Sequence, residues 1–278
     1  MTIDEIIDQA LIEDIGDGDH TTLATIPERT IGKAQLLIKD SGIICGVDLA
    51  KRIFNRIDPS SELEVFINDG STVFPGNIAF KVYGKKAAIL QAERLVLNFM
   101  QRLSGIATTT NKMVRRIEGM KTQILDTRKT TPLLRTLEKY AVKTGGGNNH
   151  RMGLYDMIMI KDNHVDFAGG IVKAIQAVNN YLQKTGRHLK IEIEVRNFAE
   201  LQEVLEFGQV DRIMLDNFSP EDLSVAIRKI ENRFETEASG GITMEKLRAY
   251  AETGVDFISV GALTHQIYSL DMSLKAFN

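Results

Sequence analysis

The sequence lacks several features that would assign it to a particular class of protein. Its 278 residues include one cysteine, Cys45, which excludes an intrachain disulfide and a zinc site built from several cysteines. No stretch approaches the roughly 20 consecutive apolar residues of a membrane span. The acidic, amphipathic start MTIDEIIDQA also has neither the basic nor the apolar region of a signal peptide. We therefore expect a cytoplasmic protein with no membrane partner.

An excess of charge of one sign is also absent. The chain has 34 Lys and Arg against 37 Asp and Glu, a formal net charge of −3. A nucleic-acid-binding domain would need a basic face, so this balance argues against one. With 43% hydrophobic and 26% charged residues, an ordinary globular protein of one large domain or two is expected.

Positive charge is concentrated in one stretch, between Arg128 and Lys161. Only Glu138 and Asp156 oppose it there, and its basic residues are Arg128, Lys129, Arg135, Lys139, Lys143, Arg151 and Lys161. A local basic site on a mildly acidic chain indicates a small anionic ligand. Gly145, Gly146 and Gly147 lie inside the stretch, and a glycine run lets backbone approach a ligand closely. The pattern favours planar anions such as carboxylates and phosphates.

The first hundred residues predict an α+β domain. An amphipathic helix opens the chain and ends in the acidic run Glu13–Thr22, which lacks the spacing of a calcium loop, so a solvated or self-capping turn is favoured. Strands are expected around 34–38, 63–67 and 78–83, with a helix over 47–57. A long helix is expected over 85–103, broken at Ser104-Gly105 and followed by a second helix over 107–117.

The rest of the chain alternates strands with helices. Apolar strands are predicted at 123–126, 157–161, 191–195, 213–216, 234–239 and 257–261, and helices at 170–184, 198–207, 220–232 and 243–253. Such alternation predicts a parallel sheet wrapped by helices. No dinucleotide-binding glycine motif follows the first strand, so a β/α barrel is favoured over a doubly wound sheet.

Polar residues recur where these strands end. They are Asp126 to Lys129, Lys161 to His164, Glu192 and Glu194, Asp216-Asn217, Ser239-Gly240-Gly241, and Gly261. Barrel enzymes have their chemistry at this edge. The last two glycine-containing ends, one of them preceding a predicted helix, fit the phosphate site of such barrels.

The carboxylates of Glu194 and Asp216 allow two interpretations. They can hold ribose hydroxyls or Mg²⁺ brought in on a diphosphate, or they can form a structural ion pair with Lys161 or Arg128. His150 and His164 lack a third ligand at helical spacing, so anion contact is favoured over zinc.

In these motifs the sequence resembles the quinolinate phosphoribosyltransferase family over essentially its whole length. The matching motifs are Glu13-Asp14 with Gly18-Asp19 and Thr21-Thr22, Glu93-Arg94 with Asn98, Leu103–Thr108, Asp126–Arg135, Gly145–His164, Glu192–Val195, Met214–Asn217, Glu237–Ile242 and Ser259–His265. Each is weak alone, and their order and spacing together are specific.

The resemblance implies transfer of phosphoribose from phosphoribosyl pyrophosphate to quinolinate with decarboxylation, giving nicotinate mononucleotide, CO₂ and pyrophosphate in NAD biosynthesis, with Mg²⁺ required. It implies that quinolinate is held by Arg128, His150, Arg151 and Lys161, and that Lys129 contacts substrate or pyrophosphate oxygens. By the same resemblance Glu194 and Asp216 hold the ribose and its metal, and the phosphate region is lined by Ser239, Gly240, Gly241, Gly261 and His265.

The resemblance also implies an assembly and a fold. Arg94 would reach the neighbouring subunit's site in a homodimer or higher oligomer, although the residue itself resembles an ordinary solvated helix position. The implied fold is an open, TIM-like β/α barrel over 107–265, with an N-terminal α+β domain over 1–106 on which 266–278 packs back. Leu133 and Gln266 depart from the family's usual glycine and serine, and leucine adopts positive φ only at a cost, so the loop at 133 is expected to differ in detail.

Three other functions remain open from the residues. A transferase of the same fold could use nicotinate as acceptor without decarboxylation. A barrel aldolase could use Lys161 as a Schiff base. A nucleic-acid module is the third alternative, which the charge balance disfavours.

Overall fold

The computed structural model describes residues 1–277. In chain order its first elements are α1 (Ile3–Ile15), α2 (His20–Thr25), β1 (Ile31–Ile38), β2 (Gly42–Ile43), α3 (Val47–Ile57), β3 (Glu62–Val65), β4 (Thr72–Val73), β5 (Ile78–Lys85) and α4 (Lys86–Arg116). They are followed by β6 (Gln123–Leu125), α5 (Arg135–Thr144), β7 (Ile158–Ile160), α6 (Asp162–Ala168), α7 (Ile171–Thr185), β8 (Ile191–Val195), α8 (Phe198–Phe207), β9 (Arg212–Asp216), α9 (Pro220–Ile230), β10 (Glu235–Ser239), α10 (Leu247–Glu252), β11 (Phe257–Ser259), α11 (Ala262–His265) and β12 (Met272–Ala276). No helix among these is both long and apolar enough to cross a bilayer.

The chain divides into two compact units. The first comprises residues 1–111, 130–146 and 262–278, and the second comprises 112–129 and 147–261.

The first unit is built on an antiparallel sheet with strand order β12-β1-β5-β3. Alternate residues of β1, including Leu36 and Ile38, are fully buried. One face of α3 is buried as well, and the Phe54 ring meets Phe80 of β5 edge-on with centroids 6.2 Å apart. The C-terminal segment completes this sheet, since β12 pairs with β1.

The predicted break at Ser104-Gly105 is wrong, because α4 is one continuous helix. Both residues serve as contact points instead. The Ser104 hydroxyl accepts from the Cys45 amide at 2.9 Å, and a Cβ on Gly105 would overlap the Tyr268 carbonyl. Gly105 therefore lets the C-terminal segment lie directly against the helix, which outweighs the intrinsic cost of glycine in a helix.

The acidic run Glu13–Thr22 is mostly helical. It contains the end of α1 and the start of α2, and the Asp19 carboxylate caps α2 by accepting from the Thr22 amide at 3.0 Å. Helix α5, inside the basic stretch, was not predicted, although Leu137, Ala141 and Val142 form its buried face.

The second unit contains the predicted parallel sheet, with strand order β6-β11-β10-β9-β8-β7. All six predicted strands are present within one or two residues of their expected ends. Strands β6 and β7 are the edges of this sheet, so within the described residues the barrel is open. This confirms the predicted open β/α barrel accompanied by an α+β region.

Candidate active site

The carboxyl edge of the parallel sheet carries a layer of part-exposed charged residues. Glu194 of β8 is level with Met214 of β9, and Ser239 of β10 is level with Asp216. Residues two apart on a strand share a face, so Lys161, Glu194, Asp216 and Ser239 line the same side of the sheet near its carboxyl end. These four residues are called the upper layer.

The two carboxylates of the upper layer influence each other. Burial, and then the neighbouring charge of Asp216, raise the pKa of Glu194, while Lys161 opposes the shift. Burial also raises the pKa of Asp216, although a hydrogen bond from the side-chain amide of Asn217 at 2.5 Å acts to lower it. Lys161 Nζ is 3.9 Å from Glu194 Oε2, and the lysine side chain is 48% exposed. This ion pair is long and solvated, so both carboxylates can still bind a ligand.

Two guanidinium groups lie close together beside this layer. Arg151 is nine-tenths buried, and burial followed by the charge of Arg128 lowers its pKa. Its Nη1 donates to the Met157 carbonyl at 3.2 Å, whereas its Nε has no hydrogen-bond partner within residues 1–277. A buried donor without a partner costs free energy, and two like charges repel. A bound anion would relieve both effects.

Lys129 also contributes positive charge near this edge. It is exposed, and its charge opposes the upward shift in the pKa of Asp216. The basic residues of the second unit that were predicted to share a site, Arg128, Lys129, Arg151 and Lys161, are therefore near one another or near the carboxylates.

The glycine loop after β10 is shaped for close backbone approach. Gly240 and Gly241 have φ of 103° and 56°, and a Cβ on Gly240 would overlap the Asn217 side chain. The backbone N–H of Asn217 donates to the backbone carbonyl of Ser239 at 2.9 Å, which joins the two strand ends. Helix α10 begins at Leu247 and not at Thr243 as predicted, so the glycines precede a turn rather than a helix N-terminus.

A buried cluster on the same face, called the lower layer, comprises Glu192 of β8, Arg212 of β9 and Glu237 of β10. Glu192 and Arg212 are level with each other and two residues nearer the amino ends of their strands than Glu194 and Met214, whereas Glu237 is level with Met214. Glu192 and Glu237 are fully buried, and His150 Nε2 is 2.8 Å from Glu192 Oε2 and 3.4 Å from Glu237 Oε2. Arg212 Nη1 pairs with Glu237 Oε2 at 3.1 Å. The sequence had grouped Glu192 with the site residues at the strand ends, and this placement is wrong. The expectation of apolar strands on both faces also fails here, because this face is charged.

The protons of the lower layer are constrained by His150. Burial, then Glu237, raise the pKa of Glu192 to about 7. Burial lowers the pKa of His150, and hydrogen bonds to Glu192 and Glu237 more than offset this and raise it. His150 Nδ1 accepts the Arg151 amide at 2.7 Å, so a proton there would face another N–H. In the neutral imidazole the ring proton therefore belongs on Nε2, toward Glu192.

His150, Glu192 and Glu237 are close enough to suggest a metal site, but the donor set does not fit one. A metal would need the lone pair of Nε2, which bears the proton when Nδ1 accepts from Arg151. Arg212 already occupies one oxygen of Glu237. The cluster is better described as an internal ion network.

Models of the N-terminal and C-terminal domains of quinolinate phosphoribosyl transferase match residues 19–104 and 106–275. The chain belongs to the quinolinate phosphoribosyltransferase family. Quinolinate phosphoribosyltransferase (decarboxylating) 1b of Nicotiana tabacum is 48% identical over 285 residues, covering 97% of this chain and 81% of the relative.

Solved structures agree with the sequence match. NadC from Streptococcus pyogenes is 37% identical with a TM-score of 0.93, covering 99% of this chain and 97% of the other. The nicotinate-nucleotide pyrophosphorylase from Francisella tularensis is 40% identical with a TM-score of 0.93, covering 99% and 96%. The family and the fold predicted from sequence are therefore confirmed.

Two residues of the phosphoribosyltransferase site predicted from the resemblance lie in the first unit. Arg94 is exposed on α4, and His265 is exposed at the end of α11. Gly145, expected to approach a ligand, instead packs on α4, where a Cβ would overlap the Ala107 carbonyl. Gly261, in the second unit, follows β11 and is half-buried.

Sequence reasoning missed Glu237 and Arg212 as neighbours of the site. Their signal was available, because Glu235 and Glu237 alternate within β10 and Arg212 begins β9. A charged residue inside a strand predicted to be buried needs a partner, and that requirement could have identified the network.

Leu133 takes the left-handed backbone with φ of 68°. Leucine adopts this conformation only at a cost, and the expectation that the loop at 133 differs in detail from the family's stays a prediction.

Proposed function

We propose that this protein transfers the phosphoribosyl group of phosphoribosyl pyrophosphate to the ring nitrogen of quinolinate. The nitrogen forms a bond to the anomeric carbon as the bond to pyrophosphate breaks, and pyrophosphate leaves with the electron pair. The bond from ring carbon 2 to its carboxylate then breaks, CO₂ departs, and carbon 2 takes a proton from solvent. The products are nicotinate mononucleotide, CO₂ and pyrophosphate, which belong to NAD biosynthesis.

One observation supports this function most directly. A buried guanidinium, Arg151, has a donor without a partner and a second guanidinium, Arg128, beside it, at the sheet edge that also carries Glu194 and Asp216. A diacid can satisfy the cations, while the carboxylates suit a sugar that develops positive charge. This combination of charges matches both substrates.

The cations have distinct proposed roles. Arg128, Arg151 and Lys161 bind the carboxylates of quinolinate, and His150 lies next to Arg151 in that pocket. Lys129 neutralises substrate or pyrophosphate oxygens as the leaving group departs. Tight pairing of the 2-carboxylate would stabilise the ground state and slow CO₂ loss, so we expect the strongest pairing at the 3-carboxylate. The alkylated, cationic ring accepts the electrons of the broken bond.

Glu194 and Asp216 hold the ribose and stabilise its cation-like transition state. Their oxygens also fit Mg²⁺, since the carboxylates are adjacent and weakly paired. Mg²⁺, when bound with the substrate, would neutralise charge on the pyrophosphate. The phosphate group is bound by Ser239, the glycine loop Gly240-Gly241, Gly261 and His265.

The central experiment measures pyrophosphate release from phosphoribosyl pyrophosphate with and without quinolinate. We expect release that depends on quinolinate and is matched by ¹⁴CO₂ from the 2-carboxyl-labelled substrate. Pyrophosphate release with nicotinate and no CO₂ release with quinolinate would assign the protein to the alternative acceptor.

The Schiff-base alternative has less support. Lys161 is half exposed and faces Glu194, whereas a Schiff-base lysine is activated by desolvation or neighbouring cations. Trapping by borohydride at Lys161 with a carbonyl substrate would favour the aldolase, and an unmodified lysine would remove it.

Assembly and location are also part of the proposal. The protein acts in the cytoplasm as a homodimer, or a higher oligomer of such dimers, in which Arg94 reaches the partner's site. Arg94→Ala and Arg128→Ala should each lose activity alone, and mixing the two should restore part of it because one site in each mixed dimer is intact. No recovery after mixing would exclude the shared site.

A further inference from the structure

The ring of His150 is fully engaged by the protein. Its Nδ1 accepts the backbone N–H of Arg151 at 2.7 Å, and its Nε2 is 2.8 Å from Glu192 Oε2. The backbone N–H of His150 itself donates to Asp126 Oδ1 at 2.9 Å. A ligand could receive a ring nitrogen of His150 only if one of these contacts broke.

The contacts form a chain from the lower layer to the binding pocket. In the neutral imidazole, Glu192 accepts a hydrogen bond from Nε2–H, which leaves Nδ1 with its lone pair. That lone pair accepts from Arg151, so the backbone position of Arg151 depends on the tautomer of the neighbouring histidine. Glu237 lies on the other side of His150 Nε2, and Arg212 Nη1 donates to Glu237 Oε2 at 3.1 Å.

We infer that Glu192 is a positioning residue that acts through His150 to place Arg151 for the 3-carboxylate of quinolinate. His150 is then a link in this chain and not a direct ligand of quinolinate. The inference rests on the proposed function in one respect, that Arg151 binds quinolinate.

The makeup of the lower layer supports a role beyond packing. Buried carboxylates are costly, and apolar side chains of similar volume often stabilise a core as well or better. Glu192 Oε1 also lacks a hydrogen-bond partner within residues 1–277. A network that leaves a buried acceptor without a partner is not arranged for stability alone, whereas it does hold one tautomer of His150.

The first test compares two substitutions of Glu192 in the full-length enzyme. Glu192→Leu removes the acceptor, and we expect the KM for quinolinate to rise roughly tenfold or more while the KM for phosphoribosyl pyrophosphate stays within about twofold. Glu192→Gln keeps an oxygen that can accept from Nε2, and we expect it to recover most of the loss. Equal KM values for quinolinate in wild type, Glu192→Leu and Glu192→Gln would overturn the inference.

Glu235 provides the matched control. It lies two residues before Glu237 on the same strand and face and pairs with Arg212, but its side chain is 38% exposed and the carboxylates within 4 Å of His150 Nε2 in residues 1–277 are those of Glu192 and Glu237. Glu235→Leu should leave the KM for quinolinate within about twofold of wild type. An increase as large as that of Glu192→Leu would show a general structural effect and overturn the inference.

A second measurement is made on the wild-type enzyme, so it does not depend on whether a Glu192 variant folds. In ¹⁵N NMR of imidazole-labelled wild-type enzyme, the neutral form of His150, one of five histidines, should show a protonated Nε2 and an unprotonated Nδ1 on the alkaline side of its raised pKa of about 9. His150→Gln identifies its signals. A neutral form with its proton on Nδ1 would overturn the inference even if Glu192→Leu fails to fold. Failure of the proposed function is separate, because it would appear as wild-type enzyme that releases no pyrophosphate with quinolinate.

Discussion

The upper and lower layers of the parallel sheet use the same residue types for different purposes. Glu194 and Glu192 are two residues apart on β8 and point to the same face. The Glu194 side chain is 11% exposed with its lysine 3.9 Å away, whereas Glu192 is fully buried with His150 at 2.8 Å. Burial of the individual side chain therefore decides whether a glutamate remains available to a ligand or is paired within the protein.

Electrostatics explains why this difference is large. A partly solvated carboxylate can keep its charge without a close partner, so the carboxylates of the upper layer can stay ionised until substrate binds. A fully buried one must be paired or protonated, which is why Glu192 and Glu237 share His150 and Arg212. We therefore expect substitutions in the upper layer to affect activity and those in the lower layer to affect stability as well.

The largest effect should come from breaking the lower layer. Arg212→Met leaves Glu237 without its guanidinium partner and should lower the free energy of unfolding by about 3–5 kcal/mol. Lys161→Met, at the upper layer, should change it by less than about 1 kcal/mol, because that ion pair is long and solvated. Urea denaturation of both variants measures the difference, and equal losses would refute the contrast between the layers.

The next effect concerns the upper carboxylates. Glu194→Gln and Asp216→Asn should each lower kcat by about 10²–10³, the range found when one preorganised transition-state contact is removed. Glu203→Gln, on the exposed side of α8, is the control and should be neutral. Steady-state kinetics with both substrates tests this, and a variant at the wild-type rate would remove that carboxylate from the mechanism.

The cation pocket should show a smaller loss. Each charge-assisted hydrogen bond is worth roughly 1.5–3 kcal/mol, so Arg128→Ala should cost about tenfold to a hundredfold or more in kcat/KM for quinolinate. Arg187→Ala, in the exposed segment before β8, should cost nothing. If Arg128→Ala turned over quinolinate normally, the assignment of the anion pocket would be wrong.

The pH dependence follows from the raised pKa values of the upper layer. Glu194 and Asp216 must be ionised to act, and burial raises both pKa values above the ordinary 4.5 and 3.8. Since protonation then begins at higher pH than for free carboxylates, kcat/KM should fall on the acid side while the pH is still above 4.5. A profile that stays flat down to pH 4.5 would show that neither group is needed in its charged form.

The smallest effect is expected outside both layers, at Leu133. The side chain is 69% exposed, so Leu133→Gly loses little packing and relieves a positive φ, for a net gain of about 0.5–1 kcal/mol. Leu154→Gly, at an equally exposed leucine without positive φ, should give no gain. Thermal melting compares the two, and a loss of stability at Leu133 would mean that the loop uses the side chain.

Elements with a strong periodic pattern were predictable, and those specified by tertiary contacts were not. The run Ile191–Val195 and the helix Phe198–Phe207 were located to the residue. The helix break predicted at Gly105 was wrong, because glycine favours a break on sequence grounds and only the structure shows the segment that packs against it. Strand β12 was missed because its partner, β1, is more than 200 residues away in the chain.

By itself the sequence determined the strand and helix alternation, the family, the glycine loop after β10 and the set of charged residues at the strand ends. These depend on residue type and local spacing, which are visible in one dimension. Tertiary structure alone decided that Glu194 is open to a ligand while Glu192 is paired with His150, and that the imidazole of His150 is turned toward the protein. The reason is that burial and the register between strands set the electrostatic environment of a carboxylate, and neither is encoded in the spacing of two glutamates along one strand.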